Sequence, residues 1–187
     1  PEVGMKTLFG AIDIGASSGR VIAGIFEGGK LSLHEVHRFP NGPETIDGEL
    51  RWNFDRLFDE VVTGLRALST FADEADSDVV SIGIDTWAVD YGLLQDGILL
   101  EQPYCYRDPN NENGVEVVHQ LVTGPELYRV NGLQHLPFNT IFQFAKHSTL
   151  AKESWGAADR VMLLPDLIGF FLTGVAVTEK TNASTTG

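Results

Sequence analysis

Cysteine is almost absent from the sequence: Cys105 is the single one among 187 residues, so no disulfide can form within the chain. Such scarcity is typical of a reducing compartment. Because Tyr104 and Tyr106 flank Cys105, we predict a buried structural thiol. Long apolar runs are also missing, since no stretch approaches the ~18 residues of a membrane span. The N-terminus lacks the charged and apolar pattern of a signal peptide, and we therefore predict a cytoplasmic protein.

Positive charge is scarce as well. The chain has 13 Lys and Arg against 26 Asp and Glu, a net charge of −13, and its cations form no cluster. Such a surface repels phosphate backbones and anionic lipids, which argues against nucleic-acid and membrane-surface partners. Hydrophobic residues make up 43% of the chain and aromatic residues 10%, enough for a packed core. The composition therefore suits a folded protein that binds a small molecule.

Apolar runs at the start of the chain predict buried strands at residues 7–14, 20–26 and 31–39, arranged as a β-meander. One-sided apolar spacing predicts a helix over residues 54–68, and a strand follows at residues 79–84. Strand, helix and strand in this order indicate an α/β architecture. The remaining predictions are loops at residues 40–50 and 73–78, an extended run at 88–94, strands at 98–106 and 160–164, helices at 114–122, 125–131, 139–152 and 166–172, and a polar loop at 178–187.

The first chemical signal is the segment from Asp13 to Arg20, Asp-Ile-Gly-Ala-Ser-Ser-Gly-Arg. Asp13 ends a predicted strand, and its carboxylate suits Mg²⁺ or its waters. The small residues that follow offer backbone N–H groups and hydroxyls to phosphate oxygens, Gly15 and Gly19 allow close approach, and Arg20 adds a cation. From these residues alone, a plain hairpin turn whose polar residues face water is the favoured interpretation. A Walker-type loop is excluded, because no Gly-Lys-Ser/Thr follows and the next element is a strand.

Two further signals lie where apolar strands end. Asp85 and Asp90 suit hydrogen bonds from sugar hydroxyls, and Trp87 suits stacking on an apolar ring face. Arg107 and Asp108 end the next predicted strand and could bind hydroxyls inside a polar cleft. Structural roles stay open for both groups, as caps or hairpin contacts for the first and as a surface ion pair for the second.

A metal site is not expected among the histidines. His34 and His37 are three residues apart on a predicted strand, which places them on opposite faces. The remaining histidines have no partner at ligand spacing: His119, His135 and His147. The sequence also contains no nucleophile elbow, no G-x-G-x-x-G loop and no Cys-x-x-Cys pair.

Taken together, these motifs resemble the N-terminal part of the FGGY carbohydrate kinases, and within that family most closely the rhamnulokinase branch. The resemblance runs from about residue 9 to the last residue. It rests on Asp13 to Arg20, Gly83 to Asp90, Tyr106-Arg107-Asp108, Phe138-Asn139-Thr140, Leu164-Pro165-Asp166, Leu172-Thr173-Gly174 and Thr181 to Ser184. The first hairpin and the Asp-Thr-Trp strand end are the blocks specific to this branch.

The resemblance implies an α/β fold of the actin-like/hexokinase (ribonuclease H-like) ATPase type, with a mixed sheet that opens with a β-meander, flanked by helices. It implies transfer of the γ-phosphoryl group of MgATP to L-rhamnulose, giving L-rhamnulose 1-phosphate. ATP contacts are implied for Asp13, Gly15, Ala16, Ser17, Ser18, Gly19 and Arg20, with Asp13 holding Mg²⁺ through water. Sugar contacts are implied for Asp85, Trp87, Ala88, Asp90, Arg107, Asp108, Phe138 and Asn139. Ala88 stands where this branch often has glycine.

Length is the main departure, since members of the family are much longer two-domain chains. Residues 1–8 are interpreted as an N-terminal tail, with Met5 as a candidate start, and residues 9–187 as a truncated first domain that lacks the C-terminal nucleotide-binding domain. The general base is expected beyond residue 187, and the chain is expected to be inactive alone. The alternatives are a kinase for another ketose such as L-fuculose or xylulose, a non-catalytic sugar-binding module, and an actin-like ATPase without a sugar substrate.

Overall fold

The computed structural model describes residues 6–187, so the predicted start at Met5 lies outside the described residues. The strands are β1 (Thr7–Ile14), β2 (Ser18–Glu27), β3 (Lys30–Pro40), β4 (Pro43–Ile46), β5 (Glu49–Trp52), β6 (Val79–Thr86), β7 (Tyr91–Gln95), β8 (Ile98–Leu99) and β9 (Arg160–Leu163). The helices are α1 (Phe54–Glu74), α2 (Glu112–His119), α3 (Gly124–Asn131), α4 (Thr140–Leu150), α5 (Lys152–Ala157), α6 (Leu164–Thr173) and α7 (Lys180–Ala183). One turn of 3-10 helix, Pro109–Asn111, precedes α2.

The chain divides into two compact units. The first unit comprises the residues up to Gly42 together with Phe54–Trp87. The second unit comprises Pro43–Asn53 and Ala88–Gly187.

The first unit contains the predicted meander in a four-stranded mixed sheet of order β3-β2-β1-β6, in which β1 is antiparallel to β2 and parallel to β6. Helix α1 is amphipathic, and its buried residues include Leu57, Val61 and Leu68. Burial of this apolar face supplies most of the stability of such a layer. The predicted domain boundary assigned Leu8 to the N-terminal tail of residues 1–8. In the structure Leu8 belongs to β1 and is 0% exposed.

A β-bulge makes the prediction for His34 and His37 wrong. The register of β2 and β3 shifts between Val21 and Ile22, and the extra residue in β3 turns the strand. Both histidines therefore contact α1: the His37 Nε2 atom lies 2.7 Å from the Glu60 carboxylate, and the His34 ring lies 5.2 Å from the Phe71 ring. Within residues 6–187 no group of three or more potential metal ligands occurs.

In the second unit, residues 43–50 are not part of a loop, although a loop is predicted at residues 40–50. They contain the hairpin of β4 and β5, in which Thr45 pairs with Leu50. The turn is Asp47-Gly48, whose backbone φ angles are 52° and 83°. Asp-Gly with positive φ at both positions makes the tight turn whose twist matches a hairpin. The Asp-Gly pair between short alternating segments was the available sequence signal.

Other boundaries in the second unit also differ from the predictions. The strand predicted at residues 98–106 ends at Leu99, and beyond it only Tyr104 forms a bridge, to Arg51. The helix predicted at residues 139–152 breaks at Ala151, where φ is −118° and ψ is 55°, and α5 follows. The polar loop predicted at residues 178–187 contains α7, which Glu179 caps by accepting hydrogen bonds from the first backbone N–H groups.

Cys105 confirms the prediction of a buried structural thiol, since it is 0% exposed. Burial raises the pKa of the thiol to about 12, even though the backbone N–H of Arg107 donates a hydrogen bond to Sγ over 3.4 Å. A thiol with so high a pKa is unreactive at neutral pH.

None of the helices among the described residues is long and apolar enough to cross a membrane.

A buried polar network in the second unit is centred on Glu101. One carboxylate oxygen lies 2.8 Å from Nη1 of Arg51, and the other lies 2.6 Å from Nε2 of His147. The second ring nitrogen of His147 lies 3.0 Å from the Tyr91 hydroxyl. Burial by itself would raise the pKa of Glu101, but hydrogen bonds from His147, Ser154 and Arg51 outweigh burial and lower that pKa to about 2.

This depressed pKa predicts acid-sensitive stability. The contribution of Glu101 is complete above its ordinary pKa of 4.5 and is lost as the pH falls towards 2. Partial solvent screening limits it to about 1 to 2 kcal/mol. In thermal unfolding curves recorded from pH 7 to pH 2, Glu101→Gln is expected to be less stable than wild type at pH 7 and equal to it at the acid end. The matched control is Glu153→Gln, an exposed carboxylate of α5, and a gap between Glu101→Gln and wild type that persists at pH 2 would contradict the prediction.

Candidate functional site

The turn between β1 and β2 is tied to its own strands by backbone hydrogen bonds. The N–H of Gly15 donates to the carbonyl of Ser18 over 2.8 Å, which closes a four-residue turn. Asn41 supports the turn from outside: its side-chain amide donates to the carbonyl of Gly15 over 2.8 Å, and its backbone N–H donates to that of Ser17 over 3.1 Å. The turn is therefore held in one shape, with Gly15 and Ser17 exposed.

Gly19 is required by a close approach. A Cβ atom at this position would lie 2.2 Å from the Phe39 ring, so any larger residue would displace that ring. The Phe39 side chain fills the space under the turn and is 2% exposed. The sequence therefore places a glycine where the turn packs on its own sheet.

Three charged side chains occupy neighbouring register positions at this end of the sheet. Asp13 of β1 pairs in register with Arg20 of β2 on one side and with Asp85 of β6 on the other. The carboxylate of Asp13 lies 2.6 Å from the guanidinium of Arg20, and the two side chains are 39% and 43% exposed. The structure thus brings together the predicted nucleotide and metal residues of the first unit, with Asp85 beside them.

The donor set at this register fits Mg²⁺ held through water. Asp13 and Asp85 supply carboxylate oxygens, the ligands that Mg²⁺ prefers. With one or two carboxylates as ligands, such an ion would keep most of its own water molecules.

In the second unit, Asp90 is a buried acceptor at the start of β7. It is 1% exposed, and its carboxylate accepts hydrogen bonds from Nε1 of Trp52 over 2.6 Å, the backbone N–H of Tyr106 over 3.1 Å and Nε2 of Gln143 over 2.9 Å. These donors join three separate segments of the unit. Asp90 therefore holds the segment that begins at Ala88, which is exposed.

Asp108 is also buried, at 3% exposure, and both of its oxygens accept hydrogen bonds within the second unit. The backbone N–H groups of Leu50 and Asn110 each donate to it over 2.7 Å, and Nζ of Lys146 lies 3.5 Å away. The carboxylate caps the 3-10 turn and anchors β5. Direct contact of Asp108 with a sugar stays a prediction.

Arg107 points away from this buried anchor and is exposed. Its Nε donates to the Tyr106 hydroxyl over 2.9 Å, and the guanidinium lies 5.2 Å from the Tyr106 ring. The Phe138 ring meets the Tyr106 ring edge to face at 5.5 Å, and the Asn139 side chain donates to the carbonyl of Gln134 over 2.8 Å. A cation, aromatic edges and an amide together offer both stacking and hydrogen bonds to a sugar.

The predicted residues thus fall into two groups, one in each unit. The first unit holds Asp13, Gly15, Ala16, Ser17, Ser18, Gly19, Arg20, Asp85 and the half-buried Trp87. The second unit holds Ala88, Asp90, Arg107, Asp108, Phe138 and Asn139. Sequence reasoning assigned no role to the buried polar partners, which are Trp52, Thr140, Gln143 and Lys146. Their only sequence signal is polar residues on the inward face of an otherwise apolar helix or strand.

Comparison with known proteins gives consistent results. The model of the N-terminal domain of the FGGY family of carbohydrate kinases matches residues 8–187. The chain is 46% identical to a rhamnulokinase from Ligilactobacillus salivarius, covering 94% of this chain and 35% of that protein. It is 40% identical to a rhamnulokinase from Bacillus subtilis, covering 96% of this chain and 36% of that one. The chain therefore spans about a third of the length of these relatives.

Solved structures agree on the fold. A gluconate kinase from Lactobacillus acidophilus superimposes with a TM-score of 0.82 at 18% identity, covering 97% of this chain and 36% of that one. A xylulose kinase from the same organism gives a TM-score of 0.80 at 18% identity, covering 96% and 36%. These likenesses confirm the predicted mixed α/β fold class. The chain belongs to the FGGY family of carbohydrate kinases and carries its N-terminal domain.

Proposed function

We propose that this chain is the N-terminal domain of an ATP-dependent sugar kinase that transfers the γ-phosphoryl group of MgATP to the 1-hydroxyl of L-rhamnulose. The observation that carries the proposal is the identity of 40–46% with rhamnulokinases over at least 94% of the chain. The specific turn and strand-end motifs lie inside the matched region. A cytoplasmic location stays a prediction.

The turn of the first unit is proposed to hold the phosphates of ATP. Its exposed backbone, its serine hydroxyls and Arg20 offer donors to phosphate oxygens. Asp13 is proposed to bind the water shell of Mg²⁺, which when bound neutralises charge on the transferred phosphoryl group. Because the net charge of −13 repels a nucleotide, these local donors must provide the attraction.

In the second unit, exposed and half-buried residues are proposed to contact the sugar, and buried residues are proposed to support them. Ala88, Arg107, Phe138 and Asn139 are proposed to contact the sugar, because each is exposed or half-buried. Asp90 and Asp108 are proposed to hold those contacts in place, because their carboxylates are already engaged by protein donors. Asp85 and Trp87 of the first unit keep the sugar-binding roles that the family resemblance implies.

The general base is proposed to lie outside these 187 residues. A base must reach the proton of the attacking hydroxyl, and the family resemblance assigns that role to no aspartate of this chain. A kinase for a different ketose, such as L-fuculose or xylulose, is the second candidate, and Ala88 favours it because the added methyl group alters the shape of the site.

The deciding experiment is a substrate panel. The complete kinase is assayed by coupled ADP release with L-rhamnulose, L-fuculose and xylulose. It is produced either from the intact reading frame or by joining this chain to the C-terminal part of the Ligilactobacillus salivarius relative. L-Rhamnulose is expected to give the highest kcat/KM, and the 187-residue chain alone is expected to give no turnover. Preference for another ketose would overturn the substrate, and calorimetric sugar binding by a complete protein without turnover would indicate a binding module.

A further inference from the structure

Val89 has an unusual backbone conformation next to the proposed sugar contacts. Its φ angle is 73°, in the left-handed region. Among the described residues the other non-glycine positions with positive φ are Asp47, Asp76 and Asp96, a residue type that tolerates this region. A β-branched residue does not tolerate it, because its Cβ substituents crowd the backbone. Such a conformation persists only where the surroundings impose it, and it is common at ligand sites.

Two buried side chains of α4 hold this conformation. The Thr140 hydroxyl donates to the carbonyl of Val89 over 2.9 Å, and Nε2 of Gln143 donates to the same oxygen over 3.3 Å. Thr140 is 0% exposed and Gln143 is 2% exposed, so water does not compete for these bonds. Both donors belong to the first turn of α4, so both lie close to the carbonyl of Val89.

The Gln143 amide also reaches the two neighbouring parts of the site. Nε2 donates to Oδ1 of Asp90 and to the carbonyl of Phe138, over 2.9 Å in each case. Since the NH₂ group has two hydrogens, its two shorter bonds go to Asp90 and Phe138, and the 3.3 Å contact with the Val89 carbonyl shares one of these hydrogens. One side chain therefore fixes Val89, Asp90 and Phe138 relative to one another.

We propose that Gln143, assisted by Thr140, is the positioning residue of the sugar contacts in the second unit. This proposal rests on the proposed sugar kinase function. Gln143 itself does not touch the sugar. It holds Val89 in the left-handed region and so sets the direction of Ala88, and it sets the start of α4 through the carbonyl of Phe138.

The test combines a substitution that removes the hydrogen-bond donors of Gln143 with one that relieves the backbone strain at Val89. Gln143→Met keeps the side-chain length but has no donor, and it is expected to raise KM for the ketose about tenfold while kcat changes less than about threefold. Adding Val89→Gly is expected to lower KM again, to about threefold above wild type, because glycine adopts positive φ without the hydrogen bond from Gln143 while Asp90 and Phe138 still lack their donor. A merely structural Gln143 would give no such rescue.

Two controls isolate the mechanism. Val89→Ala removes the same methyl groups but keeps Cβ, so it is expected to rescue Gln143→Met less well than Val89→Gly. Thr149→Val removes a hydroxyl that bonds only to carbonyls of its own helix, and it is expected to leave KM unchanged. Equal KM values for Gln143→Met and wild type, or equal rescue by alanine and glycine, would overturn the proposal.

A second measurement keeps this inference separate from the proposed function. KM is taken with whichever ketose the wild type phosphorylates, so a wrong choice of L-rhamnulose does not affect the result. Hydrogen exchange of residues 88–91 needs no turnover at all. In the 187-residue chain, Gln143→Met is expected to speed exchange there about tenfold or more, and unchanged exchange would overturn the proposal even if the kinase assay succeeds.

Discussion

The Asp13→Asn variant of the complete kinase is expected to lose about 100-fold to 1000-fold in kcat with KM for the sugar nearly unchanged. Asparagine keeps the shape of the side chain but removes the negative charge that we propose faces the water shell of Mg²⁺. The same change releases Arg20, whose guanidinium lies 2.6 Å from the Asp13 carboxylate. Catalysis of phosphoryl transfer depends mostly on positioning and charge, so this loss falls on the chemical step.

The measurement is ADP release over a Mg²⁺ titration. Asp13→Asn is expected to need a higher Mg²⁺ concentration and still to reach a lower plateau. The matched control is Glu35→Gln on β3, because Glu35 also forms an ion pair with an arginine, Arg38, on the same sheet. Its activity is expected to stay within about twofold of wild type, since exposed ion pairs contribute little. If Asp13→Asn retained a third or more of the wild-type kcat, the proposed role would be wrong.

The Gly114→Ala variant is expected to destabilise the chain by about 3 kcal/mol, which lowers Tm by about 6 to 12 °C. A Cβ at Gly114 of α2 would lie 1.9 Å from the carbonyl oxygen of Phe142 and 3.0 Å from the backbone N of Lys146 in α4. Backbone atoms cannot rotate aside as a flexible side chain can, so the two helices must separate. Since α4 carries Thr140 and Gln143, separation of α2 from α4 would also disturb the hydrogen bonds from these two side chains to the carbonyl of Val89.

Thermal and urea unfolding of the 187-residue chain measure this effect. Gly156→Ala in α5 is the matched control, because a Cβ there meets nothing within 4 Å. That variant is expected to be neutral or stabilised by up to about 1 kcal/mol, the usual gain when alanine replaces glycine in a helix. Equal stability of the two variants would contradict the packing argument.

Features that depend on neighbouring residues were predictable from the sequence. Apolar runs predicted β1 and β6, and small residues after Asp13 predicted the turn of the first unit, because strands and tight turns follow from short-range sterics. The family motifs were recognisable for the same reason, since each is a short contiguous segment. Where a local signal was overlooked, as with Asp47-Gly48, the hairpin was missed.

Features that depend on distant residues were not predictable. Asp90 and Gln143 are 53 residues apart in the sequence, and their hydrogen bond forms only when α4 packs against the start of β7. The bulge between β2 and β3 turned His34 and His37 to one face because the register of a pair of strands is a property of both. No pattern around Val89 predicts a left-handed backbone, because valine disfavours it locally.

The sequence by itself therefore determined the family, the mixed α/β class and the segments that carry the candidate site, since these are written in contiguous residues. The tertiary structure alone decided which polar groups face outwards and which are buried. It made Asp108 an internal anchor and Arg107 an exposed cation, although the two are adjacent in the chain. The reason is physical: a carboxylate becomes an anchor only where donors from distant segments converge on it, and that convergence exists only in the folded chain.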